Sequence, residues 1–511
     1  MLSLRLAKER WSAWPLIVLP LGVLEYVSGE HPDWALVAWV VPLLWLLFFH
    51  HTRPLVGYGV GLLGLTLVYS TQHTVNILEG TSFHVTNLVF AATYLLPFLL
   101  TRTLMQRVAP AGRWLLLPLG AVSVEYVLAL GPNGTWGSVG YSQQNLYLRQ
   151  LTACTGIYGL TFLLYATASL LFEALGYWRV GQRAGRPLRL AAGLLVVCFT
   201  LGWLRLQQQA PVRASVRVLG LTFQDARSWP WFQQLVGSPS LTLRHDRRQI
   251  RQKAVAAHRY YLTQTQHWVR RYHPRWVIWQ EAALVVYWPD YAAFAARNAR
   301  FAAAEKLYLG VTYFLVDERF PAQPGTNHLT IFSPQGQVLY DYAKNKPVDG
   351  MEPALAAQQP PTLFQIDRIR YTGAICADFD YPSIIRHAGM ANIVFAPAAD
   401  WPGIGELHAR MAATRAVENG FALFRITSHG TSSLTTAYGE TRNSQQHLSP
   451  TVQALLATVP VQPVWTPYHA WGDFFAWLCL GGFFLLAGSR HWLFSCHRSS
   501  LPAYKERRSS D

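Results

Sequence analysis

The chain has 511 residues, of which 51% are hydrophobic and only 14% charged, against roughly 25% charged in soluble proteins. The apolar excess sits in residues 14–205 and again in 470–488, leaving a middle of ordinary globular composition. That split excludes a purely soluble protein and reads as a membrane protein with one large soluble domain. The net charge of +16 is carried mainly by short loops and termini, so it argues for topology rather than for nucleic-acid binding.

The first apolar block divides into about seven spans, each near the ~17–25 residues that cross a bilayer. They are expected near 14–28, 34–50, 55–71, 83–101, 114–130, 152–175 and 188–205, with an eighth near 470–488. The first is short, but no small-residue cleavage site follows it, so it is expected to be retained. Cations mark one side of the membrane. Arg5, Lys8 and Arg10 precede span one, Arg53 follows span two, and Arg102, Arg107 and Arg113 follow span four. Arg179, Arg183, Arg186 and Arg189 follow span six, and Arg490, Arg498, Lys505, Arg507 and Arg508 follow span eight. The opposite short loops hold Arg149, with Arg205 at the end of span seven. Both chain ends are therefore expected in the cytoplasm. The expected domains are a membrane bundle over 1–209, an extracytoplasmic domain over 210–466, a C-terminal membrane helix over 467–490 and a basic tail over 491–511.

Polar residues inside the spans are few. Glu25 and Glu125 lie toward the outer ends of spans one and five, where an acid is costly unless partnered or facing water. Each is either a packing hydrogen bond or a wall of an outward-opening cavity. The glycine-rich loop over 131–144 carries Trp136 and Tyr141, aromatic residues suited to the membrane interface.

The soluble part alternates strand-like and helix-like stretches, which predicts a layered α/β domain. Strands are expected over 215–221, 276–281, 308–315, 327–333 with 336–342 as a hairpin, 373–376, 392–396 and 421–427. Helices are expected over 246–272, 292–307 and 408–419, with another between Cys376 and residue 392. Three residues stand where strands run out: Glu281, Lys344 and Cys376. Cys376 is the only thiol of the polar half, since Cys154, Cys198, Cys479 and Cys496 lie in or beside apolar runs. A lone cysteine there is either a small buried hydrophobe or a nucleophile. With a carboxylate to take its proton and an ammonium for the oxyanion, the three suit acyl transfer through a thioester. The scattered histidines give no metal site.

This order and its flanks resemble the nitrilase (carbon–nitrogen hydrolase) superfamily, with its Glu–Lys–Cys triad. The matching stretches are Trp279-Gln280-Glu281, Tyr342-Ala343-Lys344 and Cys376-Ala377-Asp378-Phe379-Asp380-Tyr381-Pro382. Glu352 sits where many members have a second glutamate. Eight spans with such a domain between the seventh and eighth narrow the resemblance to the apolipoprotein N-acyltransferase family. The stretch from Trp136 to Gln143, that from Gly156 to Phe162, Asp400-Trp401 and the run from His408 to Gly420 are also similar to that family, as is the position of Glu125.

The resemblance implies an αββα sandwich tethered by about eight transmembrane helices, in the inner membrane of a bacterium. It implies a ping-pong reaction without a cofactor. Cys376 would be the nucleophile, Glu281 the base and acid, and Lys344 the oxyanion stabiliser, with Glu352 and Asp378 in support. Glu125, Tyr141, Trp401 and His408 would line the pocket or cavity. A phospholipid would donate the acyl chain, a diacylglyceryl-modified lipoprotein would accept it, and the enzyme would act as a monomer. The sequence departs from the family at Gln280, Ala377, Asp378, residues 347–351 and residues 427–430, which flank the pocket. A membrane-anchored amidase, an acyltransferase with another amine acceptor, and a non-catalytic lipid or lipoprotein binder are the alternatives.

Overall fold

The computed structural model describes residues 17–24, 34–71, 80–223, 247–317, 325–348, 352, 354–401, 403–446 and 452–488. Helical backbone runs over 17–24 within the first expected span. The cations expected to fix orientation at 5–10 and 490–508 lie outside the described residues, as does Glu25. The membrane helices are α1 (Val37–His51), α2 (Pro54–Thr71), α3 (Gly80–Leu104), α4 (Leu116–Ala129), α5 (Tyr158–Arg179) and α6 (Gly185–Gln207).

Five described stretches are long and apolar enough to cross a membrane: Pro54–Thr71, Phe83–Leu104, Pro110–Ala129, Tyr158–Arg179 and Gly185–Gln207. Helix α1 has 15 residues, as does the last apolar helix, Phe474–Gly488. Both are shorter than the ~20 residues of a full span. The expected sixth span begins later than the sequence suggests, because residues Thr152–Thr155 form a separate short turn ahead of α5. The bundle packs through Trp45, Phe49, Phe98 and Tyr165, which form one aromatic cluster between α1, α3 and α5.

The soluble part is an α/β domain built on two sheets. The first holds β1 (Ser215–Phe223), β2 (Trp276–Trp279), β3 (Leu284–Tyr287), β4 (Tyr308–Val316), β5 (Gly325–Phe332) and β6 (Val338–Ala343). The second holds β7 (Phe364–Ile366), β8 (Ile369–Gly373), β9 (Ile393–Ala399), β10 (Ala422–Ser428), β11 (Thr431–Thr435) and β12 (Thr441–Gln446). Strand β13 (Val452–Pro460) returns to the edge of the first sheet beside β1. The orders are β13-β1-β2-β4-β5-β6, with β3 beside β4, and β12-β11-β10-β9-β8-β7. Strands β1, β2 and β4 run parallel, as do β8, β9 and β10.

The inner faces of the sheets meet over Val218, Trp276, Ile278 and Leu329 on one side and Tyr371, Phe395 and Phe424 on the other. These are aliphatic and aromatic residues on a two-sided core, as facing sheets require. Helices α7 (Arg247–Tyr272) and α8 (Tyr291–Glu305) cover the outer face of the first sheet. Helix α9 (Gly405–Asn419) covers the second, and α10 (Phe474–Gly488) returns to the membrane bundle. The result is the expected αββα sandwich on an α-helical membrane bundle. The helix expected after Cys376 shrinks to the turn Pro382–Ile385 and a 3-10 turn, Arg386–Ala388.

Helix α9 also joins the two parts. Leu407 and Met411 pack into the membrane cluster with Tyr141 and Tyr158. Its Arg415 donates to the Tyr141 hydroxyl at 2.7 Å and pairs with Glu418 at 3.0 Å. Glu418 in turn accepts the Ile157 amide at 2.8 Å. From the membrane side, Arg149 donates to the Gly439 carbonyl at 2.9 Å, and Gln150 to that of Tyr438 at 2.8 Å.

Candidate active site

Glu281, Lys344 and Cys376 follow β2, β6 and β8, strands whose C-terminal ends gather along one rim of the sandwich. Strand β2 ends in a knot of hydrogen bonds. The Gln280 amide donates to the Leu221 carbonyl at 3.1 Å, and the Gln280 side chain accepts the Phe223 amide at 2.7 Å. Both bonds carry the β1–β2 pairing past Trp279. The next residue, Glu281, is thereby fixed in direction.

The Glu281 carboxylate is 4% exposed and is held at both oxygens, with one lone pair of Oε2 left over. Its Oε1 accepts Lys344 Nζ at 2.7 Å and Asn327 Nδ2 at 2.8 Å. Its Oε2 accepts the Ala399 amide at 2.8 Å. Lys344 is wholly buried and also donates to Glu352, while Asn327 bridges to Glu352 at 3.4 Å. Burial opposes the Lys344 charge, but Glu281 and Glu352 outweigh it and hold the ammonium well above its usual range. Burial pushes the Glu352 carboxyl up, against Lys344. An ammonium has three N–H donors. Two are committed here to Glu281 and Glu352, leaving one over.

Cys376 opens a 3-10 turn, Cys376–Asp380, at a φ of +46°. A non-glycine residue in the left-handed region is strained by about 1–3 kcal/mol and persists only when its surroundings hold it. Asp378 is that hold. Its carboxylate accepts the Ile375 and Asn345 amides at 3.1 Å, the Lys346 amide at 2.8 Å and the Tyr342 hydroxyl at 2.8 Å. Burial raises the Asp378 carboxyl to about 6, against Lys344 and these donors. It therefore ties the cysteine turn to the loop that carries Lys344. Burial first, and the Glu281 charge second, hold the Cys376 thiol well above its usual range. The resting sulfur is a neutral thiol.

A second polar group lies beside the thiol. Cys376 Sγ, an Asp400 oxygen and a His408 nitrogen all fall within 4.8 Å of one another. His408 Nδ1 is 2.7 Å from Asp400 Oδ1, and its Nε2 is 3.4 Å from Asp380 Oδ1. Arg425 donates to both Asp400 oxygens at 2.8 Å. With that arginine already on its carboxylate, Asp400 is a poor metal ligand, so the trio reads as a charge network. Against burial, Asp380 and Asp400 lift His408 to about 9. Against burial, Arg425 and His408 hold Asp400 down to about 2.

The sign of the resulting pH dependence is fixed by these directions. A histidine raised in the fold contributes stability fully below its unfolded value of ~6.5 and loses it as pH rises through about 9. The groups facing it are Asp380, Asp400, Arg425, Cys376 and, through Asp400, His429. The His408→Gln variant should therefore lack part of the wild-type fall in melting temperature between neutral and alkaline pH, a part worth at most roughly 3 kcal/mol. Thermal melts at several pH values check this, and parallel curves would count against it.

The membrane loop closes the site from one side. Thr135 donates its amide at 2.8 Å and its hydroxyl at 2.9 Å to the Asp380 carbonyl in the cysteine turn. Gly134 has a φ of +54°, and a Cβ there would collide with that same carbonyl. Trp136 stacks on Trp401, centroids 6.3 Å apart, and lies 6.2 Å from His408. His408 thus sits near the thiol, with Trp136 between it and Trp401. Tyr141 is buried, its hydroxyl taken by Thr135 and Arg415. Glu125 accepts the Thr161 hydroxyl at 2.7 Å through Oε2, between α4 and α5. Sequence reasoning missed Asn327, the Ala399 amide, Asp380 and Arg425.

Residues 21–170 match the family model described as the apolipoprotein N-acyltransferase N-terminal domain. An apolipoprotein N-acyltransferase of Geobacter metallireducens is 25% identical over 513 residues, covering 91% of this chain and 93% of that protein. Among solved structures, an amidase from Nesterenkonia sp. aligns with 50% of this chain and 94% of its own, at 15% identity and a TM-score of 0.35. A carbon–nitrogen hydrolase from Helicobacter pylori aligns with 51% and 94%, at 13% identity and a TM-score of 0.40. The chain is therefore similar to the apolipoprotein N-acyltransferase N-terminal domain over residues 21–170 and to one apolipoprotein N-acyltransferase over nearly its whole length.

Proposed function

We propose that this protein transfers an acyl chain from a phospholipid to the N-terminal amine of diacylglyceryl-modified lipoproteins, through a thioester on Cys376. The observation that carries this reading is the seat of the cysteine turn. Its Asp380 carbonyl is bonded to Thr135 of the membrane loop, so the thiol sits where the α/β domain meets the bilayer helices. A soluble amide would not need that address; a lipid ester does. The α/β domain would face the extracytoplasmic side of the inner membrane, with both chain ends in the cytoplasm.

In the first half-reaction, the Cys376 sulfur adds to the ester carbonyl as Glu281 takes the thiol proton. Lys344 uses its remaining N–H on the oxyanion. Collapse breaks the ester C–O bond, and Glu281 returns the proton to the departing lysophospholipid oxygen. In the second half-reaction, the lipoprotein amine adds to the thioester carbonyl and gives a proton to Glu281. The C–S bond breaks, and the sulfur recovers that proton. Glu281 thus alternates as base and acid, while Lys344 stays charged throughout. Glu352 keeps Lys344 in place.

The test is to incubate the purified protein with acyl-labelled phospholipid and read its intact mass. Wild-type protein should gain one acyl group, released by neutral hydroxylamine, and Cys376→Ala should gain none. A lipopeptide amine should discharge it. If wild-type protein never carries an acyl group on Cys376, the proposal fails. Discharge by water but by no lipopeptide would make the protein a hydrolase instead.

A further inference from the structure

At the end of the bundle away from the α/β domain, α1, α3 and α5 enclose a cavity of about 280 Å³, near the lower end of the ~300–1,000 Å³ of ligand pockets. Chain direction fixes its place. It lies at the C-terminal ends of α1, α3 and α5, whereas the α/β domain grows from the far end of α6. Phe49, Phe98 and Phe172 form its apolar depth, and Arg102 and Arg113 stand at its polar rim. Each arginine spends one N–H on a backbone carbonyl, Arg102 on Phe49 at 3.2 Å and Arg113 on Val108 at 3.1 Å. That anchors the guanidinium groups and leaves donors over. Glu173 also lines the cavity, so the two arginines leave a net positive rim.

An independent observation points to a ligand. Thr101 lines this cavity and is 5% exposed, yet its hydroxyl has no hydrogen-bond partner among the described residues. A buried hydroxyl without a partner costs about 1–3 kcal/mol. An oxygen-bearing group seated beside it would remove that cost. Along α3, Arg102, Thr101 and Phe98 follow one another inward from the helix end, and all three line the cavity. A phospholipid presents phosphate, ester and acyl chain in that same order. Basic pockets between membrane helices suit anionic headgroups in particular.

We propose that this cavity binds one phospholipid with an anionic headgroup. Its phosphate lies on Arg102 and Arg113, its ester oxygen faces Thr101, and the upper part of one chain lies against Phe49, Phe98 and Phe172. The volume holds that upper portion only, so the rest of the lipid stays in the surrounding leaflet. The site is far along the bundle from Cys376 and does not depend on the reaction proposed there.

The experiment uses the full-length protein in detergent, titrated with phosphatidylglycerol or phosphatidylcholine and read by native mass spectrometry. One phosphatidylglycerol should be retained in preference to phosphatidylcholine. The Arg102→Gln/Arg113→Gln variant should weaken that retention by about tenfold or more. Since those arginines also hold backbone carbonyls, a second variant separates binding from folding. Gly176 lies at the cavity, and an added Cβ there meets nothing within 4 Å. Gly176→Leu should fill the mouth, keep the melting temperature and expel the lipid. Arg183→Gln, at the same end but outside the cavity, should retain the lipid as wild type does. Equal retention of the two lipids would overturn the proposal. So would undiminished retention in Gly176→Leu, an equal loss in Arg183→Gln, or displacement of the bound lipid by millimolar inorganic phosphate alone.

Discussion

Replacing Lys344 with methionine is expected to remove both the activity and much of the stability of the α/β domain. The ammonium is wholly buried between Glu281 and Glu352, whose side chains are 4% and 15% exposed. Methionine matches the length of lysine but supplies no charge, so two carboxylates are left facing each other in a buried site. Removing one partner of a buried pair costs about 3–5 kcal/mol. Activity loses a donor aimed at the oxyanion, a change worth about 10²–10³ in rate. Neutral Glu352 can relieve part of the repulsion by keeping its proton, the direction in which burial already pushes it.

A second variant separates the two effects. In Lys344→Met/Glu281→Gln, one carboxylate becomes an amide that still accepts the Ala399 amide through its carbonyl. Stability should recover by about 1–3 kcal/mol, since no unpaired charge remains at 281. Acyl-enzyme formation should stay absent, because the base and the oxyanion donor are both gone. Chemical denaturation and intact mass, measured on the same samples, check the pair. A Lys344→Met protein that melts like wild type and still acylates would remove Lys344 from the site.

The sequence made some of this arrangement legible and hid the rest for physical reasons. Glu281, Lys344 and Cys376 were readable because each lies within three residues of a strand's C-terminal end, and strand ends are where a sheet presents functional groups. Asn327 was not readable. It is the third residue of β5 and reaches Glu281 only because β5 is hydrogen-bonded between β4 and β6. No local pattern marks it. The Ala399 amide is backbone and leaves no trace in side-chain spelling. Arg425, in the middle of β10 and 1% exposed, looks like an error in an apolar strand until Asp400 is seen beside it. An arginine in a run such as Phe424-Arg425-Ile426 is itself a signal of a buried anion, and reading it so would have found the pair. Strand β12 was missed because its residues are polar and largely exposed, which removes the alternation that marks a half-buried strand. The short turn after Cys376 replaced an expected helix because Pro382 and the Asp378 bonds shape the chain locally.

Asp378→Ala is expected to inactivate the protein while leaving Glu281, Lys344 and Cys376 in place. Asp378 is wholly buried and takes hydrogen bonds from three backbone amides and one hydroxyl. Alanine leaves these donors without an acceptor, at about 1–3 kcal/mol for each that water cannot reach. A loss of roughly 4 kcal/mol in unfolding free energy is therefore expected. The chemical effect is separate. Cys376 holds its φ of +46° against a strain of about 1–3 kcal/mol, and Asp378 is what holds it. Once released, the turn relaxes toward the common backbone regions and the sulfur leaves its place near Glu281 and Lys344. A misplacement of about 1 Å costs on the order of 10²-fold in rate, so kcat for acylation should fall by about that factor while phospholipid KM moves little. Asp378→Asn keeps one oxygen for the amides but turns its NH2 toward donors, so it should lie between wild type and alanine in both stability and kcat. The same series read with a small thiol reagent tests the geometry directly. Labelling of Cys376 should quicken in Asp378→Ala, because a loosened turn exposes a thiol that is now 4% accessible. If alanine lowers stability but leaves kcat and labelling unchanged, the turn holds its shape without Asp378, and the positioning role assigned to it is wrong.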